Sequence, residues 1–243
     1  MSIEAITGRS PRPSARRAHP YDDTDVIDAR APRFNQATVG AVSALALLTG
    51  WWPLFGLLGL QLIVGLSFGR KFCLPCVFYF EVVQPRFGEG DIEDARPPRF
   101  ANIIGAIFLT SATVAHAVGL SLLGWILGAA VAVLALLAAA TGLCVGCEMY
   151  RLLARLRGLG AKNADRIELA DVQASSGSEV VVQFTHPLCT DCHSVARRLS
   201  NEGRELVLVD VSQRPDLARK YGVSVVPAAF NVAANGRILE RLA

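Results

Sequence analysis

Residues 32–76 read PRFNQATVGAVSALALLTGWWPLFGLLGLQLIVGLSFGRKFCLPC, and residues 98–147 read PRFANIIGAIFLTSATVAHAVGLSLLGWILGAAVAVLALLAAATGLCVGC. Each stretch opens on a Pro-Arg-Phe triplet, Pro32-Arg33-Phe34 and Pro98-Arg99-Phe100, and each ends on a CxxC pair. A tyrosine stands three positions past the second cysteine in both, Tyr79 and Tyr150. The same order of triplet, apolar run, cysteine pair and tyrosine marks a two-unit duplication, a common way to build membrane proteins. No Asp, Glu, Lys or Arg occurs from Asn35 to Gly69 or from Ala101 to Cys147, where His116 is the one side chain that can gain a positive charge.

A helix that crosses a bilayer needs about 20 apolar residues. Ala101–Cys147 holds two such helices with a break near Gly119–Gly124. Asn35–Gly69 is shorter. It holds either two short helices turning at Trp51-Trp52-Pro53 or one long tilted helix. Proline disrupts the helical ladder, and tryptophan suits the membrane boundary, as does Trp125 near the other turn. The duplication selects two hairpins. The expected fold class is therefore a membrane all-α four-helix bundle built from a duplicated two-helix hairpin, with a small α/β domain after it.

Lys and Arg set the orientation. Arg9, Arg12, Arg16, Arg17, Arg30 and Arg33 precede the first span. Arg70, Lys71, Arg86, Arg96 and Arg99 lie in the central loop, and Arg151, Arg155, Arg157, Lys162 and Arg166 follow the last span. The two tight turns carry none. Positive loops stay in the cytoplasm. Both termini and the central loop are thus expected in the cytoplasm of a cell with an inner membrane. The repeat is then parallel, with CLPC and CVGC at one face, at the ends of the second and fourth helices. Gly40, Gly50, Gly56, Gly59, Gly65, Gly105 and Gly128 let helices approach closely.

The totals agree with a membrane protein. Of 243 residues, 52% are hydrophobic and 19% charged, too apolar for an ordinary soluble enzyme. A net charge of +3 gives no case for nucleic acid. Met1–Arg33 is rich in Arg, Pro, Ser and Asp and has no apolar core, so it reads as a disordered cytoplasmic tail and not as a secretory signal. The membrane domain is expected over 34–157, with its repeats at 34–80 and 100–150. Gln61 and His116 are the notable polar residues within it. His116 is a candidate ligand for a quinone or a proton relay. Its position near a turn favours a boundary residue bonded to a carbonyl.

The composition changes after Arg157. Residues 158–178 form a small, polar linker, with a short strand at Arg166–Val172. The β-branched run Glu179–Phe184 reads as a buried strand. Thr185-His186-Pro187-Leu188-Cys189-Thr190-Asp191-Cys192 follows and leads into a helix through Leu199. A strand at Glu205–Val211, a short helix at Arg214–Tyr221 and a strand at Val225–Asn231 come next. Asn235-Gly236 then turns into a hairpin strand, Arg237–Leu242.

This order, with Cys189, Cys192 and the Val225-Val226-Pro227 step, resembles the thioredoxin family over 179–243. The resemblance implies a thioredoxin-like fold without the family's final helix. It also implies that Pro227 is cis and faces the cysteines. Leu188 departs from the tryptophan usual before the first cysteine. A cysteine at a helix start meets unpaired N–H groups and the positive end of the helix dipole, which favour the thiolate. Cys189 is then the nucleophile, and Cys192, one turn on, resolves the mixed disulfide. Asp191 reads as a residue facing the dipole. Cys189–His193 also matches the CxxCH pattern of haem attachment, but the flanking strand and Val-Val-Pro favour the thioredoxin reading. His193 is then an ordinary early-helix residue. Zinc at CTDC would need two further ligands.

The membrane half, over about 32–157, resembles a bacterial membrane family of unknown function, through its PRF starts and CxxC ends. That resemblance implies association with thioredoxin-like proteins and sulfur metabolism. Three readings compete. In the first, Cys73/Cys76 and Cys144/Cys147 exchange electrons or sulfane sulfur with Cys189/Cys192, and the linker raises their effective concentration. A thiol, disulfide or persulfide protein is the expected partner. In the second, Cys73, Cys76, Cys144 and Cys147 hold one zinc or iron ion. In the third, the helices pass a small thiol or sulfur species. Resting disulfides are not expected in a reducing cytoplasm.

Overall fold

The computed structural model describes residues 5–6, 18–160, 166–172, 179–202, 205–223 and 225–242. In chain order the elements begin with β1 (Ala5–Ile6), β2 (Val26–Asp28), α1 (Arg30–Thr49), α2 (Pro53–Phe68), α3 (Leu74–Phe78), α4 (Gln84–Phe87) and β3 (Ile92–Asp94). Then come α5 (Arg96–Ala117), α6 (Ser121–Thr141), α7 (Val145–Gly160), β4 (Val180–Thr185) and α8 (Thr190–Asn201). β5 (Leu206–Asp210), α9 (Pro215–Lys220), β6 (Ala228–Val232) and β7 (Ile238–Arg241) complete the set. The chain divides into two compact units. A helical unit takes His19–Gly90 and Ala95–Tyr150, and a sheet unit takes Met1–Ala18, Asp91–Asp94 and Arg151–Ala243.

The helical unit breaks where the sequence leads one to expect. Gly50 ends α1 with φ +69°, a left-handed conformation that glycine adopts without a side-chain clash. Pro53 opens α2, where its missing N–H costs nothing. The single tilted helix is thereby replaced by two. α5 and α6 are likewise separate. Both are long and apolar enough to cross a membrane, yet only 22% and 28% of their apolar windows are buried. α2 is apolar but shorter.

Packing joins one repeat to the other. α1 lies along α6, α2 along α5, and α5 along α6. The shared core takes Val39 and Ala46 from α1, Phe55, Leu58 and Leu62 from α2, Leu109 and Ala112 from α5 and Val131 from α6. Gly124 and Gly128, one turn apart on α6, form its groove. A Cβ on Gly124 would strike the His116 ring, and one on Gly128 would strike the ring of Phe55, which is fully buried. Of the glycines expected to pack, Gly40 meets Leu136, Gly56 meets Thr113, Gly59 meets Thr110, Gly65 meets Cys73 and Gly105 meets Leu62. Gly50 meets nothing; it ends a helix instead of admitting a neighbour.

The sheet unit has strand order β1-β5-β4-β6-β7. β4 runs parallel to β5 and antiparallel to β6, and β6 turns back into β7. Val180, Val181, Val182 and Phe184 on β4 are all buried, as a central strand covered on both faces requires. α8 buries Cys192, Ala196 and Leu199, spaced at one helical face.

Two expectations change. Order begins well before Arg33. Ala5–Ile6 pairs with β5, β2 covers Val26–Asp28 and α1 starts at Arg30. Residues 1–4 and 7–17 of the expected tail, with Arg9, Arg12, Arg16 and Arg17, lie outside the described residues. Within the expected linker, Arg166 bridges to Arg237 without forming a strand, and Ile167 and Val172 are core residues at 1% and 0% exposure. Its other parts, 161–165 and 173–178, lie outside the described residues.

Filling the α6 groove should cost stability. Gly128→Leu is expected to lower unfolding free energy by about 1–3 kcal/mol through overpacking against Phe55. Thermal unfolding of wild type and variant checks it.

Candidate functional site

All three cysteine pairs are built on one local plan. Cys189 is the N-cap of α8, and Cys192 donates its N–H to Cys189 Sγ at 3.2 Å. Cys144 immediately precedes α7, and Cys147 donates its N–H to Cys144 Sγ at 3.3 Å. Cys73 is the N-cap of α3, and Val77 donates to its carbonyl at 2.9 Å. The Cα atoms lie 5.3, 5.1 and 5.1 Å apart in the Cys189, Cys144 and Cys73 pairs, and each pair is closed as a disulfide. The two pairs of the helical unit therefore do not end the second and fourth helices. α2 and α6 stop at Phe68 and Thr141, and each pair opens a further helix.

Their surroundings differ. Cys189 and Cys192 are 1% and 0% exposed, in one core cluster with Phe184, Tyr221 and Val226. The Val226–Pro227 peptide bond is cis. A turn holds Cys189, with its N–H on the His186 carbonyl at 3.0 Å and the Leu188 N–H on His186 Nδ1 at 3.2 Å. Gln183, fully buried on β4, donates to the Cys192 carbonyl at 2.8 Å. The ring of His193 lies 2.9 Å from the Pro187 carbonyl, which gives it a local structural partner. Asp191 sits in the first turn of α8, as expected.

Cys73 and Cys76 line a cavity of about 140 Å³ with Asn35, Gln61, Leu62, Arg99 and Asn102. Asn35 donates to Asn102 Oδ1 at 3.1 Å, while its own buried Oδ1 has no partner among the described residues. Gln61 reaches the Phe72 carbonyl at 3.2 Å, tying α2 to the turn before Cys73. Pro75 carries no N–H, so this helix start offers one donor fewer than the other two.

The repeat reaches further back than the PRF triplets. Residues 26–34 read VIDARAPRF and residues 92–100 read IEDARPPRF. In the first copy Asp28 is 2% exposed. Its Oδ1 accepts the Arg30 N–H at 2.9 Å. Its Oδ2 accepts from the Tyr79 hydroxyl at 3.1 Å, Gln84 at 3.1 Å and the Gly90 N–H at 3.0 Å. Tyr79, noticed only for its spacing, thus ties the segment after Cys76 to the segment before the triplet. Arg70 donates to the carbonyls of Pro20, Asp23, Thr24 and Val26, and burial draws its pKa down to about 10. The triplet arginines cross between repeats. Arg99 lies 3.5 Å from the Leu66 carbonyl in the last turn of α2, and Arg33 sits against Gly142 at the end of α6. A cation at a helix C-terminus meets the negative end of its dipole.

His116 is held by rings. It stacks on Trp52 and Phe55 and meets Trp125 edge-on at 4.5 Å, and its buried Nε2 has no partner among the described residues. The carbonyl bond expected for a boundary residue is not made at that nitrogen. Among the described residues no three His, Cys, Asp or Glu side chains are grouped to hold a metal.

The family described as Domain of unknown function (DUF4395) matches residues 27–155, more than half the chain. The chain belongs to this family. The matched DUF4395 region starts one residue into β2, so it includes the Asp28 network and both cysteine pairs of the helical unit. No curated protein and no solved structure matches the chain. Sequence reading missed Asp28, Gln84 and Gln183. The signals for them were the DAR step shared by both DUF4395 repeats and a lone amide in a β-branched run.

The Asp28–Tyr79 bond gives a pH dependence. Burial, then the charge and hydrogen bond of Asp28, raise the Tyr79 pKa. The stability this contributes is fully present below the unfolded tyrosine value, about 10, and is lost as pH rises toward the folded one. Tyr79→Phe should cost about 1 kcal/mol near neutrality and shed part of the alkaline loss. Unfolding curves between neutral and strongly alkaline pH check both.

Proposed function

We propose that this DUF4395 protein is a membrane thiol–disulfide oxidoreductase. In this reading α1, α2, α5 and α6 are a four-span bundle in a bacterial inner membrane, and the sheet unit is a thioredoxin-like domain on the cytoplasmic side. The exposed apolar faces of α5 and α6 support the membrane assignment. So does the concentration of Lys and Arg outside the spans. The parallel β4–β5 pair and the helix-opening cysteines support the domain assignment.

One observation carries the redox reading. All three pairs bond internally at a helix start, and in two of them the second cysteine's N–H points at the first sulfur. An N–H aimed at sulfur stabilises the thiolate when the bond opens. In the proposed exchange the Cys189 thiolate attacks an oxidised membrane pair. A bond to Cys189 forms as the pair's S–S bond breaks, and the leaving sulfur departs as thiolate. The Cys192 thiolate then attacks Cys189. The Cys189–Cys192 disulfide closes, and two electrons have passed to the membrane pair. A dithiol protein of the cell resets Cys189/Cys192 by the same chemistry, reducing their disulfide and leaving with a disulfide of its own.

Cys192→Ser should trap the first step. The variant is expected to accumulate a Cys189 mixed disulfide with Cys73, Cys76, Cys144 or Cys147, detected as a cross-linked peptide by mass spectrometry. Cys189→Ala with Cys192→Ser should abolish it. A folded Cys192→Ser protein without that cross-link overturns the exchange.

A further inference from the structure

The sheet unit contains a short segment that the redox chemistry does not use. β3 lies against α8, and two hydrogen bonds fix it beside the nucleophile. The Ile92 N–H donates to Thr190 Oγ1 at 2.9 Å, and Thr190 directly follows Cys189. The Val226 N–H donates to Asp94 Oδ2 at 3.3 Å, and Val226 directly precedes the cis proline. Ile92 and Asp94 are 6% and 7% exposed, and Cys189 only 1%. A sulfur attacked or attacking in exchange must be reached in line by another sulfur. One at 1% exposure cannot be reached until something moves.

We infer that Ile92–Asp94 is a built-in strap across the approach to Cys189, and that a partner protein gains Cys189 only by displacing it. The bonds define what fits there: an extended segment that offers a backbone N–H to Thr190 and, two residues on, a carboxylate to the Val226 N–H. The chain supplies that segment itself. A displacing partner would present the same chemistry, an extended stretch with an acidic side chain. The strap rests on the proposed role of Cys189 as the attacking sulfur in exchange, but its test requires no exchange partner.

The full-length protein is reduced with a phosphine and treated with iodoacetamide, and modification at Cys189 is followed by peptide mass. Thr190→Val and Asp94→Ala each remove one anchor and should speed labelling about five- to tenfold, the loss of one such bond. Thr190→Ser keeps the hydroxyl and should label like wild type. Equal rates in wild type, Thr190→Val and Asp94→Ala would overturn the strap. Hydrogen exchange on the wild type guards against misfolded variants. The Ile92 and Val226 amides should exchange slowly, and exchange of both at the rate of open chain would equally overturn it.

Discussion

A helix start is where a folded chain presents backbone N–H groups that have no partners of their own. Placing a sulfur there gives those groups an acceptor and gives the sulfur a stabilised anionic state. Here the arrangement is used three times, at Cys73, Cys144 and Cys189. Much of the remaining structure serves to end one element and begin the next at those points. Gly142 ends α6 two residues before Cys144. Gln61 ties the turn before Cys73, and His186 ties the one before Cys189. The pairs are not identical. Pro75 removes a donor from the first, and Gly146 lets the second approach α5 at Ala101.

The duplication in the helical unit is interlocked. Each repeat's helices pack on the other's, and the triplet arginines sit at the helix ends of the opposite copy. That crossing explains why a charged residue is kept at the edge of each long apolar run. A buried carboxylate with four donors, Asp28, anchors the first copy, and Tyr79 links it to the segment after the cysteines. The same chain stretch in the second copy, Ile92–Asp94, belongs to the sheet unit, with its carboxylate on the Val226 N–H. Equivalent sequences have thus been put to different uses.

The helix breaks were legible because Gly50 and Pro53 each act locally. The order of strands and helices after residue 179 followed from β-branched runs separated by turn residues, although β6 starts at Ala228, three residues later than the apolar pattern implied. Its predecessor Pro227 has no N–H to give a ladder. What the sequence hid was non-local. An Asp beside Pro-Arg-Phe shows no sign of a tyrosine and a glutamine closing on it from more than fifty positions away. The helices that follow Cys73 and Cys144 were hidden too, because a long apolar run obscures where one helix stops and the next begins. Ile167 and Val172 are buried without a strand, in a stretch whose small polar residues carry the signature of a linker.

A peptide-resolved redox titration addresses the three sulfur pairs together. The protein is equilibrated in dithiol and disulfide buffers over a series of potentials, quenched, and the state of every cysteine is read by mass. Each motif should pass between closed disulfide and dithiol as its own two-electron couple, both cysteines changing together, with a tenfold change for about every 30 mV. Cys73, Cys76, Cys144 and Cys147 staying inert to reductant and alkylating agent across the whole range in folded protein would contradict the redox assignment and point to a bound metal.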